Sequence, residues 1–277
     1  MELSLTGLAL GSVVGLILAL TGAGGGILAV PLLMFGLHLS IMQAAPVGLI
    51  AVGGASAIGA VIGLREGLVR YRAAAAIGLI GMAVAPVGVR LAQIVPNGPL
   101  TIAFAVVLLY VAGRMLLQAR RAGEASDQTT EVRPPCVLNP IEGRLAWTMP
   151  CARALAATGA VSGLLSGLLG VGGGFVIVPS LTRFTNLATR SILATSLAVI
   201  ALVSIGGVAA AAAHGSVNWN VALPFGIGAV VALLAGRRIA AKVAGTRLQQ
   251  AFAITSGLVS LLLLARGMGW GPGVSQL

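Results

Sequence analysis

The sequence predicts an all-α integral membrane protein of two inverted repeats. Each repeat is a glycine-broken pair of short helices followed by three spanning helices, about 8 to 10 hydrophobic helical segments in all. Three observations lead there. Of 277 residues, 58% are hydrophobic and 8% charged, against roughly 25% charged in soluble domains, so too few charges remain to cover a water-facing surface. The chain also repeats itself: at a constant offset of 148, twelve of the 23 positions from Ala9 to Pro31 are identical. The match continues without a gap through Ser56/Ser204, Gly59/Gly207, Gly78/Gly226, Gly88/Gly236, Arg90/Arg238 and Phe104/Phe252. Finally, arginine and lysine sit in different turns of the two halves, as inverted repeats require.

The first repeat (1–119) divides into apolar elements at roughly 3–20, 27–39, 44–64, 73–95 and 100–118. The second (150–277) divides at 154–169, 175–182, 192–213, 221–241 and 248–264. The last three of each set approach the ~20 residues that a bilayer crossing needs. The first two are short, with only a glycine-rich break between them. Such a pair is either a re-entrant hairpin or two tilted, abutting helices. Segment 3–20 has the length of a signal sequence, but its leading charge is Glu2 and its counterpart lies mid-chain, so a structural role is expected.

Residues 120–149 form the one extended polar stretch. They carry Arg120, Arg121, Arg133 and Arg144 against Glu124, Asp127, Glu131 and Glu142, and include Pro134, Pro135 and Pro140. An irregular cytoplasmic linker is expected, with no domain of its own. Cys136 and Cys151, with no CxxC spacing and no nearby histidine, are expected to be free thiols in a reducing compartment.

The net charge of +11 would suggest nucleic acid in a soluble chain. Here the basic residues lie at the ends of apolar segments and in the linker, so nucleic acid is excluded and the lipid bilayer is the expected partner. Turn 65–72 holds Arg65, Arg70 and Arg72, while its counterpart 213–220 holds no Lys or Arg. Turn 234–248 holds Arg237, Arg238, Lys242 and Arg247, against Arg90 alone in 86–100. Segment 183–191 holds Arg183 and Arg190, against none in 35–43. Because Lys and Arg favour the cytoplasmic side, equivalent turns should face opposite sides of a plasma membrane, with both termini outside and the linker inside.

The spans hold almost nothing ionisable. No nucleophile, acid–base pair or metal-ligand set is assembled, so neither an enzyme nor a cofactor or metal site is expected. The backbone remains. At Gly22, Gly24, Gly25 and Gly26, and at Gly170, Gly172, Gly173 and Gly174, the chain can unwind. Exposed N–H groups in hydrocarbon cost several kcal/mol each, so such breaks occur only where protein or a wet cavity satisfies them. Helices starting just after the breaks would point their positive ends at that cavity and could hold a small anion without a charged side chain. Close helix packing is the alternative use of glycine, and Gly59, Gly78 and Gly207 are read that way. Repeat-equivalent Ser56 and Ser204 are the preferred side-chain candidates, followed by Thr21, Gln43, Ser191, Thr195 and Ser196. A membrane serine often bonds its own backbone four residues back instead.

Gly22-Ala-Gly-Gly-Gly26 leading to Pro31, Gly170-Val-Gly-Gly-Gly174 leading to Pro179, and the linker stretch Asn139-Pro-Ile-Glu-Gly-Arg-Leu-Ala-Trp147 together resemble the TauE/SafE sulfite exporter family over essentially the whole chain. The resemblance implies secondary transport, usually outward, of sulfite, sulfonates or related organosulfur anions across a bacterial inner membrane. An importer of a related anion, or a non-transporting membrane enzyme or assembly factor, is the alternative.

Overall fold

The computed structural model describes residues 2–21, 25–124, 136, 138–139, 144–145, 148–243 and 246–267. Among them the chain forms ten helices. The first repeat supplies α1 (Glu2–Thr21), α2 (Gly25–Gly36), α3 (Ile41–Arg65), α4 (Tyr71–Ile94) and α5 (Asn97–Glu124). The second supplies α6 (Met149–Leu169), α7 (Gly174–Phe184), α8 (Thr189–Ala213), α9 (Trp219–Val243) and α10 (Thr246–Gly267). Helices α3, α4, α5, α6, α8 and α9 are long and apolar enough to cross a membrane. The described chain is therefore a multi-pass bundle.

Between the two alternatives for each short pair, the structure has the hairpin. Gly25 abuts the backbone of Leu18, and Gly36 abuts the side chain of Leu10, so α2 runs back along α1. With 12 residues, α2 is about 18 Å long and cannot cross a ~30 Å hydrocarbon core. In the second half, Cys136 bridges to Thr185 just past α7 and is bonded to Cys151 in the first turn of α6, which returns α7 to the level where α6 starts.

Helix α6 begins at Met149, five residues before the apolar run suggested. Thr148 caps it, its Oγ1 accepting from the Cys151 N–H at 3.4 Å, with Pro150 in the first turn. That is a standard N-terminal stop for the chain.

Helix pairing follows the repeat. Each half's first helix packs along the other half's fourth, α1 on α9 and α6 on α4. These two seams are built from glycines four residues apart. Gly11 and Gly15 lie against Phe225 and Ala229, and their equivalents Gly159 and Gly163 lie against Ile77 and Gly81. A β-carbon on Gly163 would stand 2.6 Å from the Gly81 Cα. Small residues let backbones approach where lipid offers no hydrophobic drive to association.

The repeat-equivalent helices α3 and α8 cross antiparallel at the centre. Gly53 meets Ser204, Gly59 meets Leu197 and Gly63 meets Ala194, while Gly207 meets Leu49. This register puts a pseudo-two-fold axis close to Gly54 and Leu202, perpendicular to the helices. Gly59 and Gly207 are thus packing positions, as is Gly78, whose β-carbon would stand 2.5 Å from Leu202 Cδ1.

The arginine-bearing turns gather at one end of this bundle. Arg237 Nη2 pairs with Glu66 at 3.3 Å and its Nη1 donates to the Gly59 carbonyl. Ser191 Oγ donates to the Leu68 carbonyl at 2.6 Å, and the Arg70 N–H donates to Thr195 Oγ1 at 3.0 Å. At the opposite end, Met42, Gln93 and Ser216, from the turns poor in Lys and Arg, line one small cavity.

Two expectations for the linker are corrected. Cys136 and Cys151 are joined in a disulfide, with Cα atoms 5.0 Å apart. Residues Leu138–Asn139 pair antiparallel with Arg144–Leu145 in a two-residue ladder. The physical reason is docking. The Cys136 N–H donates to the Phe184 carbonyl at 3.0 Å, and both cysteines are buried, a contact that spacing along the chain does not reveal.

The seams give a direct test. Gly163→Leu should destabilise the protein by about 1–3 kcal/mol or more, the range for overpacking. Gly113→Ala, on α5 with open space around it, should be neutral or stabilising by up to about 1 kcal/mol. Thermal unfolding in detergent reads both, and equal sensitivity at the two positions would contradict the seam.

Candidate functional site

The two glycine breaks meet across the pseudo-two-fold axis. Of the first cluster, Gly22 and Gly24 lie outside the described residues, as does the side chain of Thr21. Gly25 and Gly26 open α2, and both are buried. In the second cluster, Gly170 ends α6 in the left-handed region at φ +73°, and Gly172 and Gly173 follow at +69° and +65°. A β-carbon is strained at such angles. Space adds a second requirement: a β-carbon on Gly173 would stand 2.7 Å from the Ser162 carbonyl oxygen.

Convergence is seen in the same contacts. A β-carbon on Gly26 would stand 2.6 Å from the Val171 carbonyl oxygen, and one on Gly48 would stand 2.9 Å from the Gly170 carbonyl oxygen. A β-carbon on Gly172 would stand 3.1 Å from Val52 Cγ1 and 3.0 Å from Ile200 Cγ2. Val52 and Ile200 are repeat equivalents, so the second break sits between matching positions of α3 and α8.

Helix α7 starts with the Val176 and Ile177 N–H groups donating to the Gly173 carbonyl at 3.0 and 3.3 Å. The N–H groups of Gly174 and Phe175 precede these and have no acceptor within the helix, as at any helix start. The start of α2 at Gly25 presents the same kind of end. Two helix N-termini, each carrying roughly half a positive charge, therefore begin near one axis without a cationic side chain from either glycine cluster.

Ser56 and Ser204 flank the axis. Both are buried, and neither hydroxyl has a hydrogen-bond partner among the described residues. Elsewhere hydroxyls do bond back along their own helices: Ser12 to Leu8, Thr101 to Asn97, Thr158 to Ala154 and Thr182 to Val178. Ser56 and Ser204 depart from this habit, and they do so as an equivalent pair.

The other side-chain candidates are otherwise engaged. Gln43 is exposed and closes a capping box with Ser40 at the start of α3, by bonds of 3.3 and 3.4 Å. The pattern Ser40-x-x-Gln43 is itself the signature of such a box. Thr195 and Ser191 hold the 66–70 turn, and Ser196 Oγ donates to the Leu193 carbonyl at 2.8 Å. Gln43, Thr195 and Ser191 serve a helix end or a turn, Ser196 bonds within α8, and none of the four is gathered at the breaks. Two serines not singled out from sequence do lie beside the second break. Ser162 Oγ reaches the Gly173 carbonyl at 3.5 Å. Ser166, whose carbonyl accepts from the Gly170 N–H, is buried with an unpartnered hydroxyl. Their signal was the repeat comparison, since the first half has Val14 and Leu18 at those places.

The profile described as Sulfite exporter TauE/SafE matches residues 7–263. The chain belongs to the TauE/SafE family. Its TauE/SafE match spans both glycine breaks and all ten helices at least in part. Among curated proteins, a "Probable membrane transporter protein" of Xylella fastidiosa strain 9a5c is 27% identical over 225 residues, covering 79% of this chain and 78% of that protein. A protein of the same description from strain Temecula1 is 25% identical over 242 residues, covering 86% and 85%. No solved structure matches the chain. These findings make the chain a member of a membrane-transporter family.

Removing a buried hydroxyl that has no partner takes away a desolvation penalty. Ser204→Ala should therefore leave the unfolding free energy unchanged or raise it by up to about 1 kcal/mol, measured by thermal unfolding in detergent. A loss of more than about 1 kcal/mol would mean that the hydroxyl bonds within the folded protein and is not held in reserve for a ligand.

Proposed function

We propose that this chain is a secondary transporter of small organosulfur oxyanions such as sulfite or short sulfonates, acting in the direction of export across a bacterial inner membrane. The observation that carries the reading is the meeting of two helix starts and two unpartnered serine hydroxyls at one pseudo-two-fold axis. Gly25 and Gly26 with Gly172, Gly173 and Gly174 would supply N–H groups, and Ser56 and Ser204 would supply hydroxyls. Gly22, Gly24 and Gly170 would shape the breaks.

Such a site has no arginine fork to clamp a large or multiply charged anion bidentately. It favours a compact oxyanion of low charge. Desolvating a second negative charge costs several kcal/mol more when no counter-ion is present, so the singly protonated form of sulfite is the species bound. Transport should follow the monoanion as pH changes, with no protein carboxylate carrying the proton.

The two halves are inverted in the membrane on this reading, with the linker and the arginine-bearing turns on the cytoplasmic face. The disulfide argues the other way, since disulfides persist in oxidising compartments. The arginines set the orientation on this reading: three separate turn pairs agree, and the positive-inside bias fixes which side faces the cytoplasm. Cysteine introduced as Leu68→Cys or Ser216→Cys, in a chain with Cys136 and Cys151 replaced by serine, should be labelled from opposite membrane faces, position 68 from the cytoplasmic one. Labelling of both from one face would overturn the inverted arrangement.

Counterflow in proteoliposomes tests the function. Preloaded sulfite should drive uptake of labelled sulfite, with a short sulfonate such as taurine competing and the dianions thiosulfate and sulfate competing poorly near neutral pH. Rates that track the dianion at fixed monoanion, or a strict need for sodium, would contradict the charge argument.

A further inference from the structure

Resting on the transport reading above, we infer that Ser256 and Ser260 of α10 form a second hydroxyl pair that contacts the transported oxyanion and makes the path chemically one-sided. Both residues are buried, at 1% and 0% exposure, and neither hydroxyl has a partner among the described residues. They stand four residues apart and so share one helix face. Ala253 and Leu263, the other fully covered residues described on α10, continue the same face.

Their place relative to the breaks follows from the repeat. Helices α5 and α10 pack on one another, with Gly257 beside Ala112. At the offset of 148, Ser256 corresponds to Leu108 and Ser260 to Ala112. Leu108 lines a cavity of about 10 Å³ whose wall includes Ile27, Val171 and Phe175, at the starts of α2 and α7. Ile27 and Phe175 are themselves repeat equivalents. The pseudo-two-fold axis therefore carries the Leu108 position onto Ser256, facing the same helix starts from the opposite side. Helix α10 also touches α2 directly. One wall of the region is thus apolar, where α5 presents Leu108, and the other carries two hydroxyls.

Chemistry gives the difference a use. A buried hydroxyl without a partner is a cost to the folded protein, and in a helix it is easily avoided by bonding four residues back. Two such hydroxyls one turn apart can each donate to an oxygen of a single oxyanion, and neither can repel it as a carboxylate would. The cavity is at the lower limit of what a single water occupies, so it has no room for an oxyanion in this conformation. The hydroxyls would engage the anion once α10 parts from α5 and the helix starts become wet.

Sulfite counterflow in proteoliposomes, with full-length protein, distinguishes this from a structural role. Ser256→Ala combined with Ser260→Ala should raise the KM for sulfite about tenfold or more, with Tm unchanged or higher, and Ser256→Thr should retain near-normal KM. Ser56→Ala measured alongside reports on the central site separately. An unchanged KM in the double variant, with Ser56→Ala impaired, would overturn the α10 proposal alone. A fall in Tm with loss of active protein and no change in KM would assign the serines to packing and overturn it too. Absence of counterflow in the unaltered protein would sink this proposal together with the transport reading.

Discussion

A peptide group in hydrocarbon must find a partner, and this bundle is arranged around two places where the helix stops supplying one. Each unpaired group there costs several kcal/mol, so a broken helix facing lipid is not an option. The chain buries both breaks against one another. Gly26 meets Val171, Gly48 meets Gly170, and Gly172 is clasped between Val52 and Ile200. Helices α3 and α8 enclose the pair, and the α5–α10 pair covers it. The glycine seams between α1 and α9 and between α4 and α6 then let the outer helices close in tightly.

The two-fold relation is the economical consequence. A single break would need a dedicated enclosure, whereas a duplicated unit encloses its own copy. Antiparallel crossing of α3 and α8 also separates equivalent turns to opposite ends, which brings Arg237 and the start of α8 onto the 66–70 turn at one end. The symmetry is incomplete in its side chains. Leu18, Leu108 and Ala112 in the first half become Ser166, Ser256 and Ser260 in the second, and all three of those hydroxyls are buried without partners among the described residues.

Much of this was legible in the sequence because the repeat is written residue by residue. The five elements per half, the helix class and the packing role of Gly59, Gly78 and Gly207 follow from apolar runs and offset. What escaped depends on contacts between distant segments or on local caps. The disulfide forms because the linker docks against the end of α7, which no spacing announces. Gln43 looked like a cavity residue but belongs to the Ser40 capping box, a local pattern that was readable and carried more weight than polarity. Thr195 was tied up by the Arg70 N–H, 125 positions away. Helix α6 started early because Thr148 and Pro150 outweigh the hydrophobic boundary.

The central claim is that both helix starts serve one anion. Hydrogen exchange of the purified protein, followed by mass spectrometry while sulfite is titrated, tests it most directly. The account predicts that peptides covering the start of α2 and the start of α7 gain protection together, at the same half-saturating concentration. Protection at only one start, at neither, or at two unrelated concentrations would contradict it.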